Sequence, residues 1–327
     1  MSDLHPLVLP SLAILTGFVV LIWGAERFVV GASNTAFNLG VSPLVIGLTI
    51  VGLGTSAPEV LVAIMASLDG NQGLAIGNAI GSNIANIALI MAITAIICPI
   101  TVQSSVVARE LPLLMIVTLG AIFLMWDSDL TRLDGVLLLV GFVLVMTWII
   151  RHAGDQPPEE IEEELDIRMR RKMSTLKALA LLLFSIVILV VSSKILVWGA
   201  VGFAKYMGIS DLVIGLTIVA IGTSLPELAA SIAAATKKHH ELVVGNIIGS
   251  NIFNLLGVLA MPGIIAPSVI EPSVLSRDIP VMAMLTLALF ATAYSFGNHK
   301  GRITRLEGFA LLISFVAYMT YLYFTAQ

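Results

Sequence analysis

Long apolar stretches, each ended by turn residues or charges, fall at about 7–34, 42–68, 73–98, 107–126, 130–151, 175–204, 210–236, 240–266, 278–297 and 303–325. A helix crossing a bilayer core needs roughly 20 apolar residues, whereas a barrel strand would alternate apolar and polar positions over about ten. The pattern predicts an all-α polytopic membrane protein of ten transmembrane helices. One hydrophilic stretch, 152–174, separates the fifth helix from the sixth; it holds Pro157, Pro158, the acidic run Glu159 to Asp166 and the basic run Arg168 to Lys172, and reads as a linker. Met1 to Pro6 contains no Lys or Arg, and the apolar run after it continues past Val30, so the first span is expected to stay in the mature chain.

Composition narrows the picture. With 58% hydrophobic and 12% charged residues over 327 positions, and a mean hydropathy of +1.01, the chain lies far from a soluble domain, where about 25% of residues are charged. The net charge of −4 is confined to short loops, and without a basic patch nucleic acid is not expected as a partner. A lone cysteine, Cys98, excludes an internal disulfide and a thiolate metal site.

The chain contains itself twice. Residues 40–99 and 208–267 align without a gap at an offset of 168, and about half of the aligned positions are identical. The correspondence extends outward: Trp23-Gly24-Ala25 recurs as Trp198-Gly199-Ala200, Arg109-Glu110-Leu111-Pro112 as Arg277-Asp278-Ile279-Pro280, and Thr131-Arg132-Leu133-Asp134-Gly135 as Thr304-Arg305-Leu306-Glu307-Gly308. Two five-helix units, 1–151 and 175–327, flank the linker 152–174. Because five is odd, the second unit enters the membrane from the opposite side, an inverted repeat of the kind transporters use. Arg151, Arg168, Arg170, Arg171, Lys172, Lys177, Lys237, Lys238, Lys300 and Arg302 fall on one side, against mainly Arg132 and Lys205 on the other. The positive side is expected to be cytoplasmic, with the central loop there and both termini outside, in a cell inner membrane.

The repeated motifs carry the chemistry. Gly54-Thr55-Ser56-Ala57-Pro58-Glu59 is followed by Gly81-Ser82-Asn83-Ile84-Ala85-Asn86; the second copy reads Gly222-Thr223-Ser224-Leu225-Pro226-Glu227 and Gly249-Ser250-Asn251-Ile252-Phe253-Asn254. An ionised Glu59 or Glu227 inside an apolar span costs on the order of 3 kcal/mol, so something must compensate. Thr55 and Ser56 lie four and three residues before Glu59, and Ser82 four before Asn86, so oxygens share helix faces. Pro58 and Pro226 lack an N–H, which frees the carbonyls of Gly54 and Gly222. Meeting at a pseudo-twofold axis, the halves would bring Glu59, Asn86, Glu227 and Asn254 together at mid-membrane, ringed by Thr55, Ser56, Ser82, Thr223, Ser224 and Ser250. Such a cage suits a hard cation such as Ca2+, while zinc or copper would want His or Cys. Na+ or protons could use the same groups.

Other polar residues have plainer readings. Buried hydroxyls also bond carbonyls one turn back; Asn83 and Asn251, like Asn78 and Asn246, suit hydrogen bonds between helices. Glu26, Arg27 and Lys194 fit local pairing or snorkelling. The run Glu159 to Glu164 lacks the spacing of a calcium loop, and His239 with His240 reads as a solvated turn. No nucleophile and base lie together in the spans, which argues against an intramembrane hydrolase, and nothing suggests the pore loop of a passive channel.

The two motif pairs, set on an inverted five-helix repeat with a short central loop, resemble the alpha repeats of the sodium/calcium exchanger family within the cation/Ca2+ antiporter superfamily. The resemblance spans nearly the whole chain in layout and about 120 residues in motif. It implies ten helices, alternating access and exchange of Ca2+ for Na+, with Glu59 and Glu227 as principal cation ligands and Asn86 and Asn254 facing them. Asn254 stands where some microbial relatives have an aspartate, which leaves two central acids. Ca2+/H+ exchange through the same glutamates is the alternative. No enzymatic activity and no cofactor are expected; the partners are the transported ions and the lipid bilayer, and the sequence leaves the oligomeric state open.

Overall fold

The computed structural model describes residues 7–41, 43–70, 72–103, 106, 108–152, 173–206, 220–294 and 301–325. Most of the linker and the start of the seventh apolar stretch, including Gly215-Leu216-Thr217, lie outside the described residues. The chain is mostly helical: α1 (Val8–Leu39), α2 (Pro43–Ile46), α3 (Gly52–Thr55), α4 (Ala57–Leu68), α5 (Gln72–Ala85), α6 (Ala92–Ile97), α7 (Glu110–Leu124), α8 (Arg132–Arg151), α9 (Thr175–Tyr206), α10 (Ala220–Thr223), α11 (Leu225–Thr236), α12 (His240–Phe253), α13 (Ala260–Ile265), α14 (Ile279–Ala293) and α15 (Arg305–Thr325).

Against ten expected spans, the described residues hold seven helices long and apolar enough to cross a membrane, and an eighth if the bent pair Leu44–Thr55 and Ala57–Leu68 is one span. The remaining apolar helices, α7 and α11, are shorter. Outward-facing residues are strongly apolar: Leu15, Phe18 and Val19 on α1, Ile116, Leu119 and Phe123 on α7, and Val136, Val140 and Val143 on α8 are all exposed. Exposed apolar side chains in such number along helices of spanning length suit contact with lipid.

Three details depart from the sequence-based expectation. The first helix runs to Leu39, past Ser33-Asn34-Thr35, because those residues are buried and bond their own helix: Thr35 donates to the Gly31 carbonyl at 2.7 Å and Asn34 to that of Val30 at 2.8 Å. Gly40, at φ +65°, then terminates it in the left-handed region. The fold is not purely helical either. Strands β1 (Ile100–Val102) and β4 (Gly301–Ile303) pair antiparallel, as do β2 (Asp129–Leu130) and β3 (Ser268–Val269). Each ribbon joins the segment after a motif helix of one copy to the segment before the last helix of the other. The third departure is the starts of α8 and α15, where the repeated Thr-Arg-Leu-acid-Gly motif is a capping box: the Thr131 amide donates to Asp134 at 2.9 Å and the Thr304 amide to Glu307 at 2.6 Å.

The helices that carry the motifs sit at the centre. The continuous spans Gln72–Ile97 and His240–Ile265 are largely buried, and the outer helices of each copy pack on the motif helix of the other: α7 and α8 against α12 and α13, α14 and α15 against α5 and α6. Gly245 and Gly249 let α12 approach α2 and its continuation closely, since a Cβ on Gly245 would lie 2.5 Å from the Leu44 carbonyl oxygen and one on Gly249 2.7 Å from that of Leu48.

Candidate cation site

Both glutamates stand just after a break in their helices. Ser56 (φ −83°, ψ 9°) interrupts α3 and α4, and Ser224 (φ −88°, ψ 6°) interrupts α10 and α11. In each case proline follows in the first turn of the new helix, where its missing N–H is harmless. The first break bends the chain by 41°. Glu59 and Glu227 thereby fall in the first turns of α4 and α11, where the helix dipole favours a carboxylate. Both are 1% exposed.

The breaks are held across to the next helix. Asn78 Nδ2 donates to the Glu59 backbone carbonyl at 3.1 Å, and Asn246 Nδ2 to that of Glu227 at 3.3 Å. The asparagines therefore do more than join helices: they fix the backbone that carries each acid. Their position 19 residues after each glutamate, in both copies, was the signal available in the sequence.

The hydroxyls cross the molecule. Ser56 Oγ donates to Glu227 at 2.9 Å, and Ser224 Oγ donates to Glu59 at 3.3 Å. The shared helix face foreseen for Ser56 with Glu59 is replaced by this exchange, since the break at the serine turns its side chain toward the opposite half. Ser250 Oγ reaches Glu227 at 3.5 Å, and the Thr223 hydroxyl bonds Glu59. Thr55 Oγ1 lies 3.0 Å from the Val51 carbonyl and 3.3 Å from Asn246 Oδ1, and it also bonds Glu227. The two carboxylates are close enough to repel each other.

Asn86 and Asn254 each open a π-helical turn, Asn86–Met91 and Asn254–Val258. Such single turns displace the helix locally and gather at functional sites; the apolar pattern carried no trace of them. Asn86 Nδ2 donates to Asn251 Oδ1 at 3.0 Å, the interhelical role expected for Asn251, and this points the amide oxygen of Asn86 elsewhere. Among the described residues, Glu59 Oε2, Glu227 Oε2, Asn86 Oδ1, Ser82 Oγ, both side-chain polar atoms of Asn83 and Asn254, and Asn251 Nδ2 are buried without a hydrogen-bond partner. Unpaired buried polar atoms are few in folded proteins, and although others lie elsewhere, as at Ser33, Thr94 and Glu110, these belong to two adjoining helix pairs. The oxygens among them are the donor set of a hard cation. Among the described residues no group of three His, Cys, Asp or Glu could hold a metal ion; the donors gathered here are two carboxylates with amide and hydroxyl oxygens.

Outside this centre, Lys237 Nζ donates to the Glu26 backbone carbonyl at 3.0 Å and Arg27 lies over the Trp23 ring at 5.6 Å.

Known proteins match along the whole chain. The sodium/calcium exchanger protein family model matches residues 10–151 and 177–324. CaxA of Alkalimonas amylolytica, named as an antiporter, is 46% identical over 98% of this chain and 100% of its own length. The sodium/calcium exchanger MaX1 of Methanosarcina acetivorans is 30% identical over 96% of this chain and 98% of its own. The solved structure of the sodium-calcium exchanger NCX_Mj, soaked with Na+ and Sr2+, superposes with a TM-score of 0.83 at 31% identity, covering 96% of this chain and 98% of that one. With both motif pairs inside the matched segments, this membrane protein belongs to the sodium/calcium exchanger family.

Proposed function

We propose that the chain is a secondary-active antiporter that exchanges Ca2+ for Na+ by alternating access, through one cage formed by Glu59, Asn86, Glu227 and Asn254 with Thr55, Ser56, Ser82, Thr223, Ser224 and Ser250 around them. The observation that carries this reading is the reciprocal pair Ser56–Glu227 and Ser224–Glu59, which leaves one oxygen of each buried carboxylate without a partner among the described residues. Two carboxylates balance one Ca2+, and removing the ion leaves two like charges in a low-dielectric interior, so Ca2+ must be replaced by other cations before the site crosses the membrane. That requirement turns a binding site into an exchanger.

The sequence repeat and the swapped packing of outer helices support two inverted five-helix units, 1–151 and 175–327, joined by the linker 152–174. The positive residues support a cytoplasmic central loop with external termini; the inner membrane itself is supported by the related inner membrane protein YrbG of Escherichia coli, 38% identical over 97% of this chain. The test is 45Ca2+ uptake into proteoliposomes loaded with Na+, compared with K+ or choline at matched pH and with an imposed pH gradient. Uptake that needs internal Na+ and is lost in Glu59→Gln and Glu227→Gln is the expected result. Uptake driven only by the pH gradient would replace Na+ by H+ at the same glutamates, and full activity in either variant would remove the cage.

A further inference from the structure

In the second copy the amide of Asn246 is bonded on three sides. Its Nδ2 donates to the Glu227 backbone carbonyl at 3.3 Å and to Ser231 Oγ at 3.0 Å, while its Oδ1 accepts from Thr55 Oγ1 at 3.3 Å. A side-chain amide has two N–H donors and one acceptor oxygen, so both donors are committed and the oxygen faces the other copy. Thr55, Glu227, Ser231 and Asn246 are all buried. Ser231 lies one turn after Glu227 on α11, on the same face, and Asn246 reaches across to both from α12.

The first copy differs at one position. Asn78 Nδ2 donates to the Glu59 carbonyl at 3.1 Å, but Ala63 stands where the second copy has Ser231 and offers no second acceptor. An amide held through one N–H bond can swing about that bond, whereas two bonds from one nitrogen fix its plane. The plane matters at Thr55. The threonine hydroxyl carries a single hydrogen; it bonds Glu227, and it also has the Val51 carbonyl at 3.0 Å and Asn246 Oδ1 at 3.3 Å within reach. When a cation takes the Glu227 carboxylate, that hydrogen has to point elsewhere for the oxygen lone pairs to face the ion. Asn246 Oδ1 then keeps the hydroxyl tied to the second copy.

We propose that Ser231 is a positioning residue of the cation site: by fixing the Asn246 amide, it sets the Glu227 backbone on one side and the Thr55 hydroxyl on the other in the arrangement that binds Ca2+. Ser231 itself touches no ion. This role rests on the cage proposed above and adds to it a residue outside both repeated motifs. Ligands held in place before the ion arrives lose less conformational freedom on binding it.

Thermal melts of the purified full chain in detergent, titrated with CaCl2, test this without requiring transport, since an ion that binds only the folded chain raises its melting temperature. Ser231→Ala should weaken the Ca2+ midpoint by about threefold to tenfold, the worth of one hydrogen bond. Ser231→Thr, which keeps the hydroxyl, should restore it. A bond that only stabilised the fold would lower the Ca2+-free melt of Ser231→Ala and leave the midpoint in place. Because the serine acts partly through Thr55, Ser231→Ala should cost less in a Thr55→Val background than in the wild-type chain, whereas independent sites would add. An unchanged midpoint in Ser231→Ala, no recovery in Ser231→Thr, or full additivity with Thr55→Val would each overturn the role of Ser231 and leave the cage standing. A wild-type melt that does not respond to Ca2+ would remove the cage itself, and this role with it.

Discussion

Glu59 and Glu227 lie in two copies of one motif, but they are not held alike. Glu227 accepts from Ser56 at 2.9 Å and from Ser250 at 3.5 Å; Glu59 accepts from Ser224 at 3.3 Å, while Ser82, the counterpart of Ser250, has its Oγ unpartnered among the described residues. Behind Glu227, Asn246 is tied to Ser231 Oγ at 3.0 Å, whereas the first copy has Ala63 at the equivalent place. The duplicated sequence has therefore yielded a more tightly bonded acid and a less constrained one, a difference set by how matching motif serines are placed and by Ser231, which the first copy lacks.

That asymmetry can be broken in stages. Ser56→Ala removes the shorter of the crossed bonds and leaves a buried carboxylate short of a donor, a loss of about 1.5–3 kcal/mol for a charged partner. Apparent Ca2+ affinity in flux assays should fall by about tenfold or more. Ser224→Ala should cost less, and equal losses would show the two acids to be equivalent. Gly245→Ala should come next: its Cβ meets the Leu44 carbonyl oxygen at 2.5 Å, and overpacking of this kind costs about 1–3 kcal/mol. A thermal melt in detergent reads this loss against Gly120→Ala, whose Cβ meets nothing within 4 Å among the described residues.

The turns differ in a smaller way. Gly70 and Lys238 occupy equivalent positions and both are left-handed, at φ +76° and +65°. Only the lysine pays the Cβ penalty there, so Lys238→Gly should stabilise by about 1 kcal/mol and Gly70→Ala should destabilise by a similar amount. The same melts would show it, and a loss on Lys238→Gly would mean that the side chain supports the turn.

The smallest expected effect is of pH. In the same turn, burial foremost, then Lys237 and His240, hold His239 below its ordinary value of 6.5. The unfolded chain takes up a proton that the folded turn resists, so the stability of the neutral form is present above pH 6.5 and declines as pH falls toward the lowered folded value. His239→Gln should flatten that part of the melting profile; an unaltered slope would assign it to other groups. The first copy has Asn71 there and no such dependence.

Much of this architecture was legible in the chain. Helix positions followed from apolar runs because a bilayer demands internal hydrogen bonding over a set length. The exception at Ser33 to Thr35 arose because polar residues that bond back to their own helix do not interrupt it. The two acids stood out through duplication and through the expense of charge in apolar segments. Less legible were Asn78 and Asn246 as clamps on the helix breaks, the π-turns at Asn86 and Asn254, and the short ribbons, none of which alters hydrophobic periodicity.

The sequence by itself determined a helical membrane protein built from a repeated unit, and which polar residues lie near mid-span, because span length, duplication and charge burial are local properties. Only the tertiary structure decided that Ser56 serves Glu227 and Ser224 serves Glu59, that α12 approaches α2 closely, and that Asn246 is tied to Ser231. Those outcomes depend on contacts between segments far apart in the chain, where a few tenths of an ångström select the partner of each donor.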